Sequence, residues 1–332
     1  MTATDETADT FGWGIAATGS IAETVGRVIA AEPGMRIAAV GSRSKDRAAE
    51  FAAKVAGGTA YGSYADMIAD PAVDAVYVAT PHAQHRAIVE AAIAARKPVL
   101  CEKPLGVTFA EAEALVAQAR AADVFLMEAM WMRFNPLIQR VQATVESGAL
   151  GEVRSVSASL GFPVPYVPQH RLWNPALGGG ALLDLGIYPV ALAYLLLGSP
   201  DSMAAVGALG PSGVDAETAL LLGWNGGARA MLETSLVGML PMTATVVGTK
   251  GRIDIAPAFQ ETTHISVYTY GADFRPAVPE EFRIDSSSEA YAAQAREVRD
   301  CVRAGRVESR IMPLDATLGV LRILEDARSS LG

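Results

Sequence analysis

The sequence predicts an α/β domain with a parallel sheet, followed by an α+β domain with a largely antiparallel, open sheet. Up to residue 128, short apolar runs alternate with helical segments of about 10–15 residues, a pattern typical of right-handed βαβ units. From about residue 203 to residue 285, apolar runs alternate with turn signals such as Asn225-Gly226-Gly227, which is typical of antiparallel hairpins. A chain of 332 residues is long enough for two separate cores.

This change of pattern sets the predicted domain boundaries. We predict one domain over residues 11–128 and a second over residues 129–332, with a last helix that could pack back on the first domain. Residues 1–10 are polar and are predicted to form a disordered tail.

Composition and charge exclude several classes of protein. The hydrophobic share is 51%, the charged share is 19% and the net charge is -9, which argues against nucleic acid and anionic membranes as partners. The two cysteines, Cys101 and Cys301, show no paired motif, so a reduced, cytoplasmic location is expected. No uninterrupted apolar stretch approaches the length of a membrane span, and the first residues lack the features of a signal peptide.

A weakened dinucleotide-binding fingerprint follows the first predicted strand. The turn reads Ala17-x-Gly19-x-x-Ala22, where the fingerprint has G-x-G-x-x-G. The middle glycine, which lets the backbone approach a pyrophosphate, is retained, whereas alanine at the first position departs from the pattern. We predict a Rossmann-type first domain in which Gly19, Ser20 and Ile21 contact the cofactor. An ordinary strand–turn–helix corner is the alternative.

The end of the second predicted strand indicates which dinucleotide binds. Residues 37–41 lead into Ser42 and Arg43, and not into the Asp or Glu that binds the ribose hydroxyls of NAD. A hydroxyl and a guanidinium suit the 2′-phosphate of NADP through charge-assisted hydrogen bonds. We therefore predict NADP(H) as the cofactor. The alternative is a solvated loop, with Ser44 as the N-cap of a helix over residues 45–55.

Two further strands end in polar residues, at the edge where open α/β sheets bind ligands. One ends at Thr80 and is followed by His85, and the other ends in Glu102-Lys103-Pro104, where the proline biases Lys103 toward extended backbone. We predict that Thr80, His85, Glu102 and Lys103 contact the cofactor, although an isolated Lys before Pro is more often a surface residue. The chain has four histidines and no carboxylate cluster beside them, so no metal site is predicted.

In the second half, the glycine triplet at residues 178–180 opens a long apolar helix that ends near residue 197. Asp184 and Tyr188 are four residues apart on this helix and are expected to project from one face. Pro189 should kink the helix near Leu185.

The preceding segment, residues 161–177, is irregular and rich in proline and aromatic residues, as functional loops often are. Aromatic side chains in and near it could form a wall against an aromatic diol or the apolar face of a sugar, and packing between the domains is an equally open alternative. These side chains are Trp131, Phe162, Tyr166 and Trp173. Arg133 and Arg171 could contact a phosphate or a polar substrate, or form salt bridges between the domains.

Together these motifs resemble those of the Gfo/Idh/MocA oxidoreductase family. The resemblance extends over nearly the whole chain and depends on the first βα turn, Thr80-Pro81, Glu102-Lys103-Pro104 and residues 178–188. In the last segment the family usually has D-x-G-x-H, and here Tyr188 stands where His is commoner. This departure resembles the branch of dimeric dihydrodiol dehydrogenases and NADP-dependent D-xylose dehydrogenases, and it argues against the inositol dehydrogenase-like members.

The resemblance implies hydride transfer between a nicotinamide and a carbinol carbon. By position, Tyr188 would be the general acid/base, Lys103 its electrostatic partner, and Asp184 a ligand of the substrate or of Lys103. A free tyrosine titrates at about 10, and a neighbouring ammonium group favours the phenolate and lowers that value. The alternative is that Tyr188 packs in the core and Asp184 caps the helix. The predicted substrate site contains Trp131, Phe162, Trp173, Asp184 and Tyr188.

The resulting prediction is an NADP-dependent oxidoreductase that acts on a polyol, a sugar or the matching carbonyl compound. A reductase of an anhydro-ketose or a small dicarbonyl would use the same residues. A non-catalytic regulator that senses NADPH is the alternative of another class. The second domain is predicted to bind substrate and to dimerise, because sequence-local helices leave one face of its sheet uncovered.

Overall fold

The computed structural model describes residues 10–271, 275 and 277–331. Apart from Thr10, the predicted tail over residues 1–10 lies outside the described residues. The chain divides into two compact units, Met1–Met130 with Tyr291–Leu314, and Trp131–Ala290 with Asp315–Gly332.

The elements alternate in the first unit and become strand-rich in the second. The strands are β1 (Phe11–Ala16), β2 (Met35–Gly41), β3 (Thr59–Tyr61), β4 (Ala75–Val78), β5 (Val99–Glu102), β6 (Leu126–Ala129), β7 (Val153–Gly161), β8 (Ser202–Leu209), β9 (Asp215–Gly223), β10 (Arg229–Ser235), β11 (Ala244–Gly248), β12 (Gly251–Ile255), β13 (His264–Thr269) and β14 (Glu280–Arg283). The helices are α1 (Ser20–Ala31), α2 (Lys45–Lys54), α3 (Tyr64–Ala69), α4 (His85–Ala94), α5 (Phe109–Ala121), α6 (Pro136–Glu146), α7 (Ile187–Leu197), α8 (Glu289–Arg303) and α9 (Leu314–Ser329).

The first unit contains, within its described residues, a six-stranded parallel sheet in the order β3-β2-β1-β4-β5-β6, which confirms the predicted fold class. Strands β1 and β4 are neighbours although the chain visits β2 and β3 between them. The strand order therefore reverses beside β1, and the carboxyl ends of β1 and β4 border the crevice in which such sheets bind ligands.

Side-chain caps explain where most helices of this sheet begin. Ser44, Ser63 and Thr108 each accept a hydrogen bond from a backbone N–H in the first turn of the helix that follows, and Ser44 thus confirms the predicted cap of α2. Helices α1 and α4 differ, because no side chain caps either of them among the described residues, and the N-cap of α1 is Gly19. The first N–H groups of α1 are therefore available to an anion.

The second unit contains, in its described part, an eight-stranded sheet in the order β14-β13-β12-β11-β7-β10-β9-β8. Neighbouring strands are antiparallel except β7 and β10, whose parallel pairing the sequence analysis did not predict. Helix α7 packs against β7 and β10. Along β9 and β10 buried and exposed side chains alternate, and exposed apolar residues include Val206 (73%), Leu221 (51%) and Met231 (49%). One face of the sheet therefore carries the core and the other carries an exposed apolar surface.

The segment that leads into α7 is unusually apolar. Among the described residues, Pro175–Leu197 is long and apolar enough to cross a membrane by length and composition alone, with a hydropathy of 1.8. Asp184 interrupts this segment, so it is not the uninterrupted apolar stretch that the sequence analysis excluded. Because 78% of the apolar window is buried inside the structure, the segment packs in the core of the second unit.

Candidate active site

A cavity of about 270 Å³ lies in the first unit, at the carboxyl ends of β1, β2 and β4. It is lined by four of the residues predicted to bind the cofactor, together with seven that were not predicted. The predicted ones are Gly19, Ser42, Arg43 and Thr80. The others are Ala17, Thr18, Arg47, Tyr64, Ala79, Pro81 and Gln84.

The turn between β1 and α1 leaves room for a bound group. A Cβ atom added to Gly19 would have no neighbour within 4 Å, and Gly19 has an ordinary φ of -85°. Neither packing nor backbone geometry within the chain therefore requires glycine here, whereas close approach of a pyrophosphate would. Ala17, at the first position of the fingerprint, has a φ of 145°, a backbone conformation that favours glycine.

The opposite end of the cavity is basic. Ser42 is buried, Arg43 and Arg47 are exposed, and none of the described lining residues is acidic. Neither guanidinium is hydrogen-bonded or ion-paired to another described residue. Two unpaired guanidinium groups beside a hydroxyl match the donors that a phosphate monoester requires. Sequence reasoning missed Arg47, although its place in the first turn of α2, three residues after the N-cap Ser44, was a usable signal.

The His85 side chain bridges the segments that follow strands β4 and β5. Its ring is fully buried, with Nδ1 2.9 Å from the Pro104 carbonyl oxygen and Nε2 2.8 Å from the Thr80 carbonyl oxygen. Burial lowers the pKa of His85, and the two carbonyls act in the opposite direction. Both ring nitrogens thus face backbone carbonyl oxygens, and the contact of this side chain with the cofactor stays a prediction. Through Pro104 the ring holds the turn that carries Lys103.

The Glu102 side chain is fixed by a hydrogen bond from a neighbouring strand of the sheet. The Tyr77 hydroxyl, on the neighbouring strand β4, donates to Glu102 Oε1 at 2.5 Å, and only 7% of Glu102 is exposed. Burial, followed by the charge of Glu102, raises the pKa of Tyr77 well above its ordinary value, so the tyrosine remains a donor. The following turn is held as well, since the Leu105 N–H donates to Glu128 at 2.9 Å. Lys103 therefore lies on a rigid turn, and its own side chain is partly exposed.

In the second unit, Tyr188 lies at the start of α7 and is hydrogen-bonded to Trp131. The Trp131 indole N–H donates to the Tyr188 hydroxyl oxygen at 2.9 Å, and the two rings meet edge to face with centroids 6.2 Å apart. Both side chains are buried, with exposed fractions of 6% and 7%. Sequence analysis placed both residues in the substrate site but did not predict this bond.

Asp184 lies in a π-helical turn, Leu182–Gly186, that directly precedes α7. Pro189 has no N–H, so the helix loses one backbone hydrogen bond a turn earlier, and a wider turn occurs where the kink near Leu185 was predicted. Arg171 forms a two-pronged ion pair with Asp184, with N–O distances of 2.9 and 3.3 Å. Of the two roles left open for Arg171, the structure shows a salt bridge, and it lies within the second unit.

The aromatic side chains of the irregular segment differ in exposure. Trp173 is 1% exposed, and its indole N–H donates to the carbonyl oxygens of Val164 and Pro165 at 3.2 and 3.1 Å. Trp173 is therefore the core of this segment, and its contact with a substrate stays a prediction. Phe162 is 37% exposed and Tyr166 is 44% exposed, so these two rings remain accessible.

Asp215, on β9, supports the helical turn that carries Asp184. Its Oδ2 accepts a hydrogen bond from the Leu182 N–H at 2.6 Å, and its side chain is 1% exposed. Burial raises the pKa of Asp215 to about 6, against the backbone hydrogen bonds, which lower it. Sequence reasoning missed this residue, because nothing local marks an aspartate that caps a turn 33 residues away.

We expect Asp215 to make stability depend on pH. The ordinary pKa of 3.8 rises to about 6 on folding, so the stabilising contribution of the protonated form is full below pH 4 and is lost as the pH rises through 6. The loss amounts to about 3 kcal/mol. Urea unfolding at pH 4 and pH 7.5 should show a larger fall in unfolding free energy for the natural chain than for Asp215→Asn. Equal falls in the two proteins would contradict the expectation.

In the part of the chain that the structure describes, no group of three or more His, Cys, Asp or Glu side chains could hold a metal ion.

In a comparison with known proteins, each half of the chain matches a family model. Residues 11–130 match a family model described as an oxidoreductase family with an NAD-binding Rossmann fold. Residues 138–254 match the model of the GFO/IDH/MocA C-terminal domain.

Individual relatives agree over nearly the full length. The chain is 38% identical to mouse trans-1,2-dihydrobenzene-1,2-diol dehydrogenase, over 96% of each protein. Among solved structures it is 29% identical to an aldose-aldose oxidoreductase from Caulobacter crescentus, with a TM-score of 0.84 over 97% of each chain. It is 28% identical to a 3-ketoreductase from Actinomadura kijaniata in complex with NADP and TDP-benzene, with a TM-score of 0.84 over 97% and 98% of the two chains.

Proposed function

The chain belongs to the Gfo/Idh/MocA oxidoreductase family, and from that premise we propose that it is an NADP-dependent enzyme that oxidises a diol or sugar hydroxyl, or reduces the matching carbonyl. The family makes it an oxidoreductase with a nicotinamide dinucleotide-binding fold. The observation that carries the proposal is the Tyr188 hydroxyl, which belongs to a buried side chain in the first turn of the apolar helix α7 and is oriented by a hydrogen bond from Trp131.

The choice of NADP is supported by the basic end of the cavity in the first unit. Ser42, Arg43 and Arg47 would hold the 2′-phosphate, and the uncapped N-terminus of α1 at Gly19 would hold the pyrophosphate. A carboxylate at this position would repel that phosphate, and the described lining residues include none. The 3-ketoreductase from Actinomadura kijaniata, a structural relative, binds NADP.

Tyr188 is proposed to move the proton. When bound, NADP⁺ accepts a hydride from the carbinol carbon, and NADPH returns one to the carbonyl carbon. In oxidation Tyr188 takes the proton of the substrate hydroxyl as the carbon–oxygen double bond forms, and in reduction it gives that proton back. We propose Lys103 as the group whose positive charge favours the phenolate, a role that the family resemblance implies.

Asp184 is proposed to accept a hydrogen bond from a second hydroxyl of the substrate. Arg171 donates to both oxygens of this carboxylate and fixes its orientation, and each oxygen keeps a further lone pair with which to accept a hydrogen bond. The named substrates of the relatives, a dihydrobenzenediol in the mouse enzyme and aldoses in the Caulobacter enzyme, both carry neighbouring hydroxyl groups. The exposed ring of Phe162 suits the apolar face of either class.

A fluorescence titration with NADPH and NADH, followed by a turnover screen, tests the proposal. We expect NADPH to bind more tightly than NADH, and Arg43→Ala to weaken NADPH binding by roughly 10–100-fold while NADH binding stays the same. Arg96→Ala, a basic surface residue outside the cavity lining, is the control. Turnover would be measured with trans-1,2-dihydrobenzene-1,2-diol and with aldoses. Tighter binding of NADH, or no turnover of any diol or sugar, would contradict the proposal.

We also propose that the exposed sheet face pairs with a second copy of the chain. Val206, Leu221 and Met231 are each about half exposed or more on this face. Apolar surface of this kind is typical of interfaces. Sedimentation equilibrium should give a dimer for the natural chain and a monomer for Met231→Glu; a monomeric natural chain would contradict the proposal.

A further inference from the structure

We infer that Trp131 is a positioning residue that controls the proton on Tyr188 through its indole N–H. The inference rests on the proposed role of Tyr188 as the general acid/base. It goes beyond that role because it assigns Trp131 a task other than contact with the substrate.

The direction of the hydrogen bond follows from the chemistry of the two groups. An indole N–H can donate but cannot accept, so the Tyr188 oxygen must be the acceptor at 2.9 Å. The hydroxyl proton of Tyr188 must then point toward a different acceptor. Trp131 thus fixes which lone pair of the phenol is occupied and leaves the proton to be exchanged with another group.

The same bond favours the ionised phenol. A donor interacts more strongly with a negatively charged oxygen than with a neutral hydroxyl, and both side chains are buried, where such a difference is less screened by water. In oxidation this favours Tyr188 as a base at lower pH. In reduction it aids loss of the proton to the substrate, since the phenolate that remains is stabilised.

Trp131 is itself held in place by its neighbours. It begins a short 3₁₀ turn, Trp131–Phe134, in which Met132 and Phe134 are buried. The next residue, Asn135, accepts from the Leu137 N–H and donates to the Thr262 carbonyl oxygen, both at 2.9 Å. The backbone that carries the Trp131 side chain is therefore held in place, and the indole can orient Tyr188.

Trp173 provides a matched control within the same unit. Its ring is also buried, but its indole N–H donates to the backbone carbonyls of Val164 and Pro165. Loss of that N–H should weaken the irregular segment and leave the phenol of Tyr188 unaffected. Comparing the two tryptophans therefore distinguishes the general effect of removing a hydrogen bond from a buried indole from the specific effect of removing the Trp131–Tyr188 bond.

The experiment compares pH–rate profiles of the full-length enzyme in both directions. The variants are Trp131→Phe, Trp173→Phe, and a protein with benzothienylalanine at position 131, which keeps the shape of the ring and lacks the N–H. For both changes at Trp131 we expect the midpoint of the rise in oxidation rate with pH to move up by roughly one pH unit. The midpoint of the fall in reduction rate should move in the same direction, and NADPH affinity should stay constant.

The outcomes distinguish the inference from the proposed function. Trp173→Phe should lower the melting temperature without moving either midpoint. A rate that falls by the same factor at every pH in the benzothienylalanine protein would overturn the inference, because it would show a packing role only. Full turnover in Tyr188→Phe would instead contradict the proposed function, whatever Trp131 does.

Discussion

Tyr188→Phe should lower kcat by about 10²–10⁴-fold in both directions. The substitution removes the only atom through which this side chain can exchange a proton, and it keeps the ring that packs edge to face on Trp131. NADPH affinity should be unchanged, because the cavity assigned to the cofactor is built from other residues. Steady-state kinetics with the best substrate of the screen, together with an NADPH titration, measure both quantities.

Tyr194→Phe is the matched control for this prediction. Tyr194 lies further along α7, and its hydroxyl makes no hydrogen bond to a described residue. Its loss should leave kcat within about twofold of the natural value. If Tyr188→Phe and Tyr194→Phe behaved alike, another residue would have to carry the proton.

Lys103→Met allows a further check on the same chemistry. Groups that act as one unit in catalysis show strongly non-additive losses. If Lys103 assists Tyr188, the kcat of the Lys103→Met/Tyr188→Phe double variant should be little lower than that of the slower of the two single variants. Multiplicative losses would show that the two residues act independently.

Gly180→Ala should destabilise the protein by roughly 2–4 kcal/mol. Gly180 has a φ of 125°, which strains any residue with a Cβ, and the added atom would overlap Asp215 Oδ1. Asp215 has little freedom to move away, because it is buried and bound to the Leu182 N–H. Thermal and urea unfolding measure the loss. Activity should fall as well, since Asp215 supports the turn that carries Asp184.

Gly19→Ala is the complementary substitution. The added Cβ meets no atom within 4 Å and the φ of -85° is ordinary, so the unfolding free energy should fall by no more than about 1 kcal/mol, the cost of alanine in place of glycine at a helix N-cap. NADPH affinity should fall, because the methyl group would occupy the space assigned to the pyrophosphate. A loss of stability in Gly19→Ala as large as that expected for Gly180→Ala, or full stability in Gly180→Ala, would show that these two glycines have been given the wrong roles.

The fold could be predicted from the sequence because its signals are local. Helix α2 begins at the predicted residue 45 and ends one residue before the predicted 55, since Ser44 caps it as expected. Strand β3 was missed because it has only three residues, none of them buried. The parallel pairing of β7 with β10 was missed for a different reason: register between distant strands has no local signature.

The candidate site was predictable only where a motif carries the chemistry. Ser42, Arg43 and Tyr188 stand in recognisable patterns, and the structure places the first two in one cavity. The partners of the motif residues came from elsewhere in the chain: Arg171 for Asp184, Trp131 for Tyr188 and Asp215 for Leu182. Whether an aromatic ring lies in a core, like Trp173, or at the surface, like Phe162, depends on packing that a single sequence does not specify.

The first unit is discontinuous in the chain, and this affects the order in which it can fold during synthesis. Its last strand is completed late, because the Leu126 N–H donates to the Val307 carbonyl oxygen. Two ion pairs join the same distant parts, Arg120 with Glu308 at 2.7 Å and Arg296 with Glu32 at 2.8 Å. Domains often fold on the ribosome from the N-terminus onward. Here the first unit reaches its full set of contacts only after the whole eight-stranded sheet has been translated, and a fragment ending at Met130 would lack helix α8 and all three of these partners.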